Sequence, residues 1–139
     1  MRVVVDTNVL ISALLIETSL PARLIVLWRE GRFDLLTSAE QLAELRRVTR
    51  YPKIRERLSP ALAGRLINEL RGLAESVPNL PPVTASPDPS DDYLLATVAA
   101  GHADFLVTGD KSGLLALKLY ESARIITVRE FLDLHRRLP

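Results

Sequence analysis

Apolar residues in this chain fall into two alternating patterns. Arg2-Val3-Val4-Val5 is a β-branched run with no polar alternation, as in a strand buried on both faces of a parallel sheet. Phe33 to Thr37, Asp104 to Asp110 and Arg124 to Val128 read as further short strands, with another expected near Val83. Between them the apolar spacing becomes helical. Val9 to Leu15 predicts a buried helix interrupted at Glu17-Thr18-Ser19, and Pro21 suits the first turn of one through Leu24, Ile25, Leu27 and Trp28 that stops at Gly31. Trp28 is expected in the core.

Ser38 and Gln41 have capping-box spacing ahead of a stripe of Leu42, Leu45 and Val48, ending near Tyr51-Pro52. Ser59-Pro60 opens a helix carrying Leu62, Leu66, Ile67, Leu70 and Leu73 to about Ser76. Five prolines between Pro78 and Pro89 make that stretch a non-helical connection. Ser90 is expected to cap a helix with Asp91 and Asp92 in its first turn and Gly101 as its stop. Ser112 to Leu119 reads as a short helix or turn, and Thr127 with Glu130 as a capping box for a terminal helix. Alternation of strands and helices predicts an α/β protein with a mostly parallel sheet of four or five strands and helices on both faces.

Composition narrows the class. A chain of 139 residues, 47 % hydrophobic and 25 % charged, suits one domain over 1–139 with its own core. The chain has no cysteine, which excludes disulfides, thiol catalysis and cysteine-ligated metal, and is compatible with a reducing cytoplasm. No apolar stretch has transmembrane length and Met1 leads straight into a strand, so a cytoplasmic protein with no membrane partner is expected.

Net charge is only +1, yet its distribution is segregated. Arg46 to Arg65 holds seven basic residues (Arg46, Arg47, Arg50, Lys53, Arg55, Arg57, Arg65) against Glu56. Ala85 to Asp110 holds five aspartates and no Lys or Arg. The basic run reads either as a solvated face or, beside an acidic cluster, as a track for a polyanion.

Candidate chemistry sits at the strand ends. Ligands of open α/β sheets bind outside the carboxyl ends of the strands, where Asp6-Thr7-Asn8 ends the first strand and Asp110 ends a later one. Asp6 or Thr7 can equally serve as a helix cap. The helix bearing Asp91 and Asp92 opens onto the same edge, so three acids converge there. Glu44 flanks the apolar stripe of its helix and can reach over this edge, or be a surface glutamate; Glu40 lies nearer solvent. Clustered carboxylates repel, and a set held for use binds metal. Oxygen donors, with Asn8 and Thr108 adding neutral ones, favour Mg²⁺ or Mn²⁺ over zinc. Such an ion can activate water for in-line attack on a phosphodiester, and a second can stabilise the leaving oxygen. His102, beside Gly101, is read as incidental.

Asp6-Thr7-Asn8, Glu44 within AELRRV, Asp92 within DPSDDYLLATVAAGHADFLVTGD, and Asp110 resemble the acidic motifs of PIN-domain ribonucleases, over essentially the whole chain. The nearest likeness is to the bacterial and archaeal toxin group related to VapC-type toxins of toxin–antitoxin systems. The resemblance implies a three-layer α/β/α fold, metal-dependent endoribonuclease activity, frequent homodimers and often a cognate antitoxin. It maps the metal-site and catalytic acids onto Asp6, Glu44, Asp92 and Asp110, with Asn8 and Thr108 supporting. Asp91 is the alternative to Asp92, and the spacing before Leu94-Leu95-Ala96 favours Asp92. Relatives commonly carry an acid two residues after the last motif aspartate; Ser112 stands there here, which argues against a fully populated second metal site. Arg46, Arg47, Arg50 and Lys53 are the candidate RNA-binding residues.

Two rivals remain. A haloacid-dehalogenase-like or receiver-like aspartyl-phosphate enzyme also places an aspartate after its first strand. The former wants an acid where Asn8 stands, and the latter an acidic pair before or at the first strand, where Val3-Val4-Val5 offers none. An RNA- or partner-binding module with an incomplete metal site is the non-enzymatic rival, and Ser112 agrees with it.

Overall fold

The structure, a computed structural model, describes residues 1–109 and 113–136. Its strands are β1 (Arg2–Val5), β2 (Asp34–Thr37), β3 (Glu75–Ser76), β4 (Phe105–Val107), β5 (Leu119–Tyr120) and β6 (Ala123–Ile126). They form one six-stranded sheet in the order β3-β2-β1-β4-β6-β5, parallel except for the β5–β6 pair. The helices are α1 (Thr7–Leu15), α2 (Leu20–Arg29), α3 (Ala39–Val48), α4 (Pro52–Arg55), α5 (Pro60–Leu73), α6 (Asp92–Gly101), α7 (Leu114–Leu117) and α8 (Val128–Arg136).

Strand pleat divides the core into two layers. Val3, Val5, Leu35, Val107 and Ile126 pack on one face with α1, α2, α3, α5 and α8, through side chains such as Leu10, Leu24, Leu45, Leu70 and Phe131. Val4, Leu36, Leu106 and Ile125 pack on the other with Leu94, Leu95 and Val98 of α6 and Leu114 of α7. Val3, Val4 and Val5 are at most 1 % exposed, so β1 is covered on both sides as its unbroken run requires. Each such valine contributes roughly 1.5–3 kcal/mol of burial. Trp28 lies in the core, as expected. The result is the three-layer α/β/α architecture read from the sequence.

Several details differ from that reading. Among the described residues the sheet has six strands rather than four or five, because two-residue ladders form at both edges: Glu75 and Ser76 pair with Leu36 and Thr37, and Leu119 and Tyr120 with Arg124 and Ala123. Val83 is not in a strand. Helix α5 ends at Leu73 rather than near Ser76, since Ala74 turns extended (ψ 153°) and frees the next two residues to join the sheet. Helix α3 stops at Val48, shortly before Tyr51-Pro52, which starts the short α4.

Gly101 closes α6 through a different cause from that expected. The left-handed residue is His102 (φ 52°), while a Cβ on Gly101 would come within 2.8 Å of Leu36 Cδ1 and 3.1 Å of Val77 Cγ2. Glycine is needed there for close packing. Among the described residues, no single helix is long and apolar enough to cross a membrane.

Candidate active site

The chain passes from β1 to β2 on one side of the sheet and from β4 towards β6 on the other, so strand order reverses between β1 and β4. The crevice at such a reversal, outside the carboxyl ends, is where open α/β sheets bind ligands. The register Val5 opposite Val107 sets Asp6 beside Thr108 at that point. Asp6 N donates to Val107 O (2.9 Å), and Thr108 Oγ1 donates to Asp6 Oδ2 (2.7 Å). Asp6 Oδ1 accepts from Asn8 N (3.1 Å), capping α1. Asp6 is only 5 % exposed and Thr108 fully buried. Asp6 thus caps α1 through Oδ1, while its Oδ2 is held by Thr108 at the sheet edge. Asn8 uses its backbone N–H here, and its side chain is exposed.

Helix α3 is set against this edge by Gln41. Its Nε2 donates to Val5 O (2.7 Å) and its Oε1 accepts from Thr37 Oγ1 (2.7 Å), tying the ends of β1 and β2 to the helix's first turn. The expected capping box is therefore half formed. Ser38 Oγ accepts from Gln41 N (3.1 Å), but the buried Gln41 amide serves the strand ends instead of reaching back. Glu44, one turn on, is partly exposed and accepts 2.7 and 2.5 Å bonds from Arg47 Nη2. That bond, first among several causes, raises the Arg47 pKa further above its already high value. Arg47 also contacts the Tyr51 hydroxyl and lies over its ring.

The amino end of α6 reaches the crevice through Tyr93, a residue the motif reading did not single out. Tyr93 OH and Thr7 Oγ1 are 2.6 Å apart, joining the starts of α6 and α1. Burial pushes the Tyr93 phenol pKa well above its usual value; the bond to Thr7 opposes this, and the charges of Asp6, Glu44 and Asp91 add to it. Tyr93 is thus a neutral hydroxyl in the field of three carboxylates contributed by separate stretches of chain. Its sequence signal is a polar aromatic in the first turn of an otherwise apolar helix, directly after two aspartates.

The two aspartates have separate surroundings. Asp92 Oδ1 accepts from Ser86 N (2.8 Å) and Ala85 N (3.2 Å), fastening the proline-rich connection to α6. Asp91 occupies the N-cap position of α6 without a side-chain capping bond, and its charge acts on Tyr93. Ser90 is not the cap. Asp88 is, for the short 3-10 turn Pro89–Asp91 that leads into α6: its carboxylate accepts from Ser90 N (3.0 Å) and Ser90 Oγ (2.9 Å), which hold its pKa below the usual range.

Asp110 and Ser112 lie outside the described residues. Among the described residues, no three His, Cys, Asp or Glu side chains stand close enough to hold a metal ion. The donor chemistry of the crevice, carboxylates and hydroxyls without nitrogen or sulfur, fits a hard divalent cation. Of the basic candidates, Arg46, Arg50 and Lys53 are exposed and outside any ion pair among the described residues, whereas Arg47 is bound to Glu44.

No curated protein and no solved structure matches the chain. The PIN domain profile does match, over residues 2–112, a span that takes in every candidate acid from Asp6 to Asp110. PIN domains are generally nucleases that act on RNA and use divalent metals. With four-fifths of its length matched and a mostly parallel α/β/α sheet whose reversal point carries Asp6, this chain belongs to the PIN-domain family.

Proposed function

We propose that the chain, as a single nuclease domain over 1–139, is an endoribonuclease that hydrolyses RNA phosphodiesters with Mg²⁺ or Mn²⁺. The observation that carries this reading is the setting of Asp6, a buried carboxylate at the strand-order reversal with Glu44 and Asp91 acting on the same phenol. Asp6 and Asp110 are the acids proposed to hold the cation directly, with Glu44 acting through its hydration water, which a magnesium-like ion retains. Asp91 is proposed to act with Glu44 through that water in preference to Asp92, because its charge acts with those of Asp6 and Glu44 on the Tyr93 phenol. A divalent cation bound there supplies water of lowered pKa and neutralises charge developing on the phosphate. The remaining roles belong to the chain itself. Thr108 and the Asn8 amide hold both oxygens of Asp6 in place, Gln41 fixes the helix bearing Glu44, and Tyr93 offers a protonated hydroxyl among carboxylates.

A homodimer, a cognate antitoxin and a cytoplasmic, VapC-like toxin role complete the proposal. Val26 and Leu62, about half and two-fifths exposed, border a groove between α1, α2 and α5 and supply apolar surface for a partner. Ser112 in place of an acid favours the second reading, a module that binds metal and RNA without turnover. Cleavage of an end-labelled RNA by the purified chain separates the two. Cleavage that needs Mg²⁺ or Mn²⁺, stops with EDTA and is absent in Asp6→Asn supports the nuclease. Metal and RNA binding without product, or product that survives EDTA, overturns it.

A further inference from the structure

Away from the crevice, α3, α4 and α5 enclose an open groove of about 350 Å³. Four arginines from these elements and the adjoining turn line it: Arg46 and Arg50 from and just after α3, Arg55 from α4, and Arg71 from α5. No acid lines the groove, and none of the four arginines is in an ion pair among the described residues. The described arginines that do have carboxylate partners, Arg2, Arg29 and Arg47, lie elsewhere.

Four like charges around one hollow repel each other, and an anion seated between them relieves that repulsion. Guanidinium is the group suited to phosphate, since its planar fork presents paired donors to paired oxygens. Asn68 adds an amide to the lining, and Gly64 keeps the wall low: a Cβ there would meet nothing within 4 Å. The lining offers little apolar anchorage for a peptide, with Ile67 itself buried in the core. Phosphate contacts need none.

We infer that this groove is a binding site for the sugar-phosphate backbone of single-stranded RNA. The inference rests on the ribonuclease reading above and assigns its substrate track. Helix α3 carries both Glu44 and, two residues on, Arg46 of the groove lining, so the crevice and the groove share one supporting element. The track differs from the one drawn from charge runs alone. Arg46 and Arg50 remain in it, Arg47 leaves it for Glu44, Lys53 is not part of the lining, and Arg55 and Arg71 join.

The test measures binding of a fluorescein-labelled single-stranded RNA by anisotropy across a salt series, with cleavage assayed in parallel. Arg50→Gln/Arg71→Gln should make the log–log salt slope shallower by about 1.4, two phosphates at roughly 0.7 each for a single strand, and weaken low-salt affinity by about tenfold or more. Arg23→Gln/Arg32→Gln removes equal charge from another surface groove and should change the slope by less than half as much. Gly64→Leu, which fills the groove without altering charge and improves helix propensity, should weaken binding while leaving the urea midpoint at or above that of the parent. If both double variants shift the slope equally, or RNA is bound and cleaved as before with Arg50→Gln/Arg71→Gln, the groove assignment is overturned and the nuclease reading stands. A chain that neither binds nor cleaves RNA overturns both. Polyglutamate bound in place of RNA, and lost in Arg50→Gln/Arg71→Gln, overturns it in favour of an acidic protein partner.

Discussion

Thr108 Oγ1 donates to Asp6 Oδ2 over 2.7 Å, between residues 102 apart in sequence and both buried. The bond closes the sheet's reversal point, joining the ends of β1 and β4 just where the candidate carboxylate sits. Thr108→Val keeps the shape but removes the donor, leaving a buried carboxylate oxygen short of one partner. That should cost about 1–3 kcal/mol of stability. Urea unfolding of the parent, Thr108→Val and Thr108→Ser checks it, with serine restoring most of the loss. A valine variant that unfolds at the parent midpoint would show that the bond contributes nothing.

Asp6→Asn separates function from folding. Asparagine is as good an N-cap as aspartate, and its amide can still accept from Asn8 N while donating to the Thr108 hydroxyl, which can turn to accept. Stability should change by about 1 kcal/mol or less, while RNA cleavage falls on the order of 100-fold or more as the charge is lost. Parallel denaturation and cleavage assays decide it; retained turnover removes Asp6 from the site.

Neighbouring aspartates should respond oppositely. Asp92→Ala deletes the acceptor for the Ala85 and Ser86 amides, so the connection loosens at a cost of about 1–3 kcal/mol with cleavage largely kept. Asp91→Asn should leave the urea midpoint near the parent's and lower cleavage roughly 10- to 100-fold, the range for groups that support a metal site. Reversal of that pattern would return the role to Asp92.

What the sequence made legible follows from how local each determinant is. An unbroken Val3-Val4-Val5 run, serine and threonine caps, and aspartates at strand ends act over a few residues, and the central strands and principal helices followed from them. Thr127 and Glu130 form the full reciprocal capping box. Two-residue edge strands carry no periodicity and exist only because a partner is beside them, so β3 and β5 were not legible. Gln41 had the spacing of a cap, but the open strand ends it serves become neighbours only after folding. The same holds for Tyr93, placed by α6 crossing to Thr7, and for Arg71, which reaches the groove from another helix. Asp91 and Asp92 have the same residue type and adjacent positions, and only the folded connection distinguishes them.

Alkaline pH gives an independent reading of the crevice. Burial, with the charges of Asp6, Glu44 and Asp91, raises the Tyr93 phenol pKa in the folded chain above its unfolded value of about 10. For an acid shifted upward, the folded state keeps its proton where the unfolded chain has lost it. The contribution is thus fully present below about pH 10 and is lost progressively as pH rises from there towards the folded value. Stability should therefore decline from about pH 10 upward more steeply in the parent than in Tyr93→Phe. At neutral pH that variant should be less stable by about 0.5–1.5 kcal/mol, because Thr7 Oγ1 loses its partner. Urea midpoints at pH 8 and 10.5 for both proteins give the comparison. Identical pH slopes would mean that Tyr93 does not stand among these carboxylates, and the grouping of Asp6, Glu44 and Asp91 would lose its physical basis.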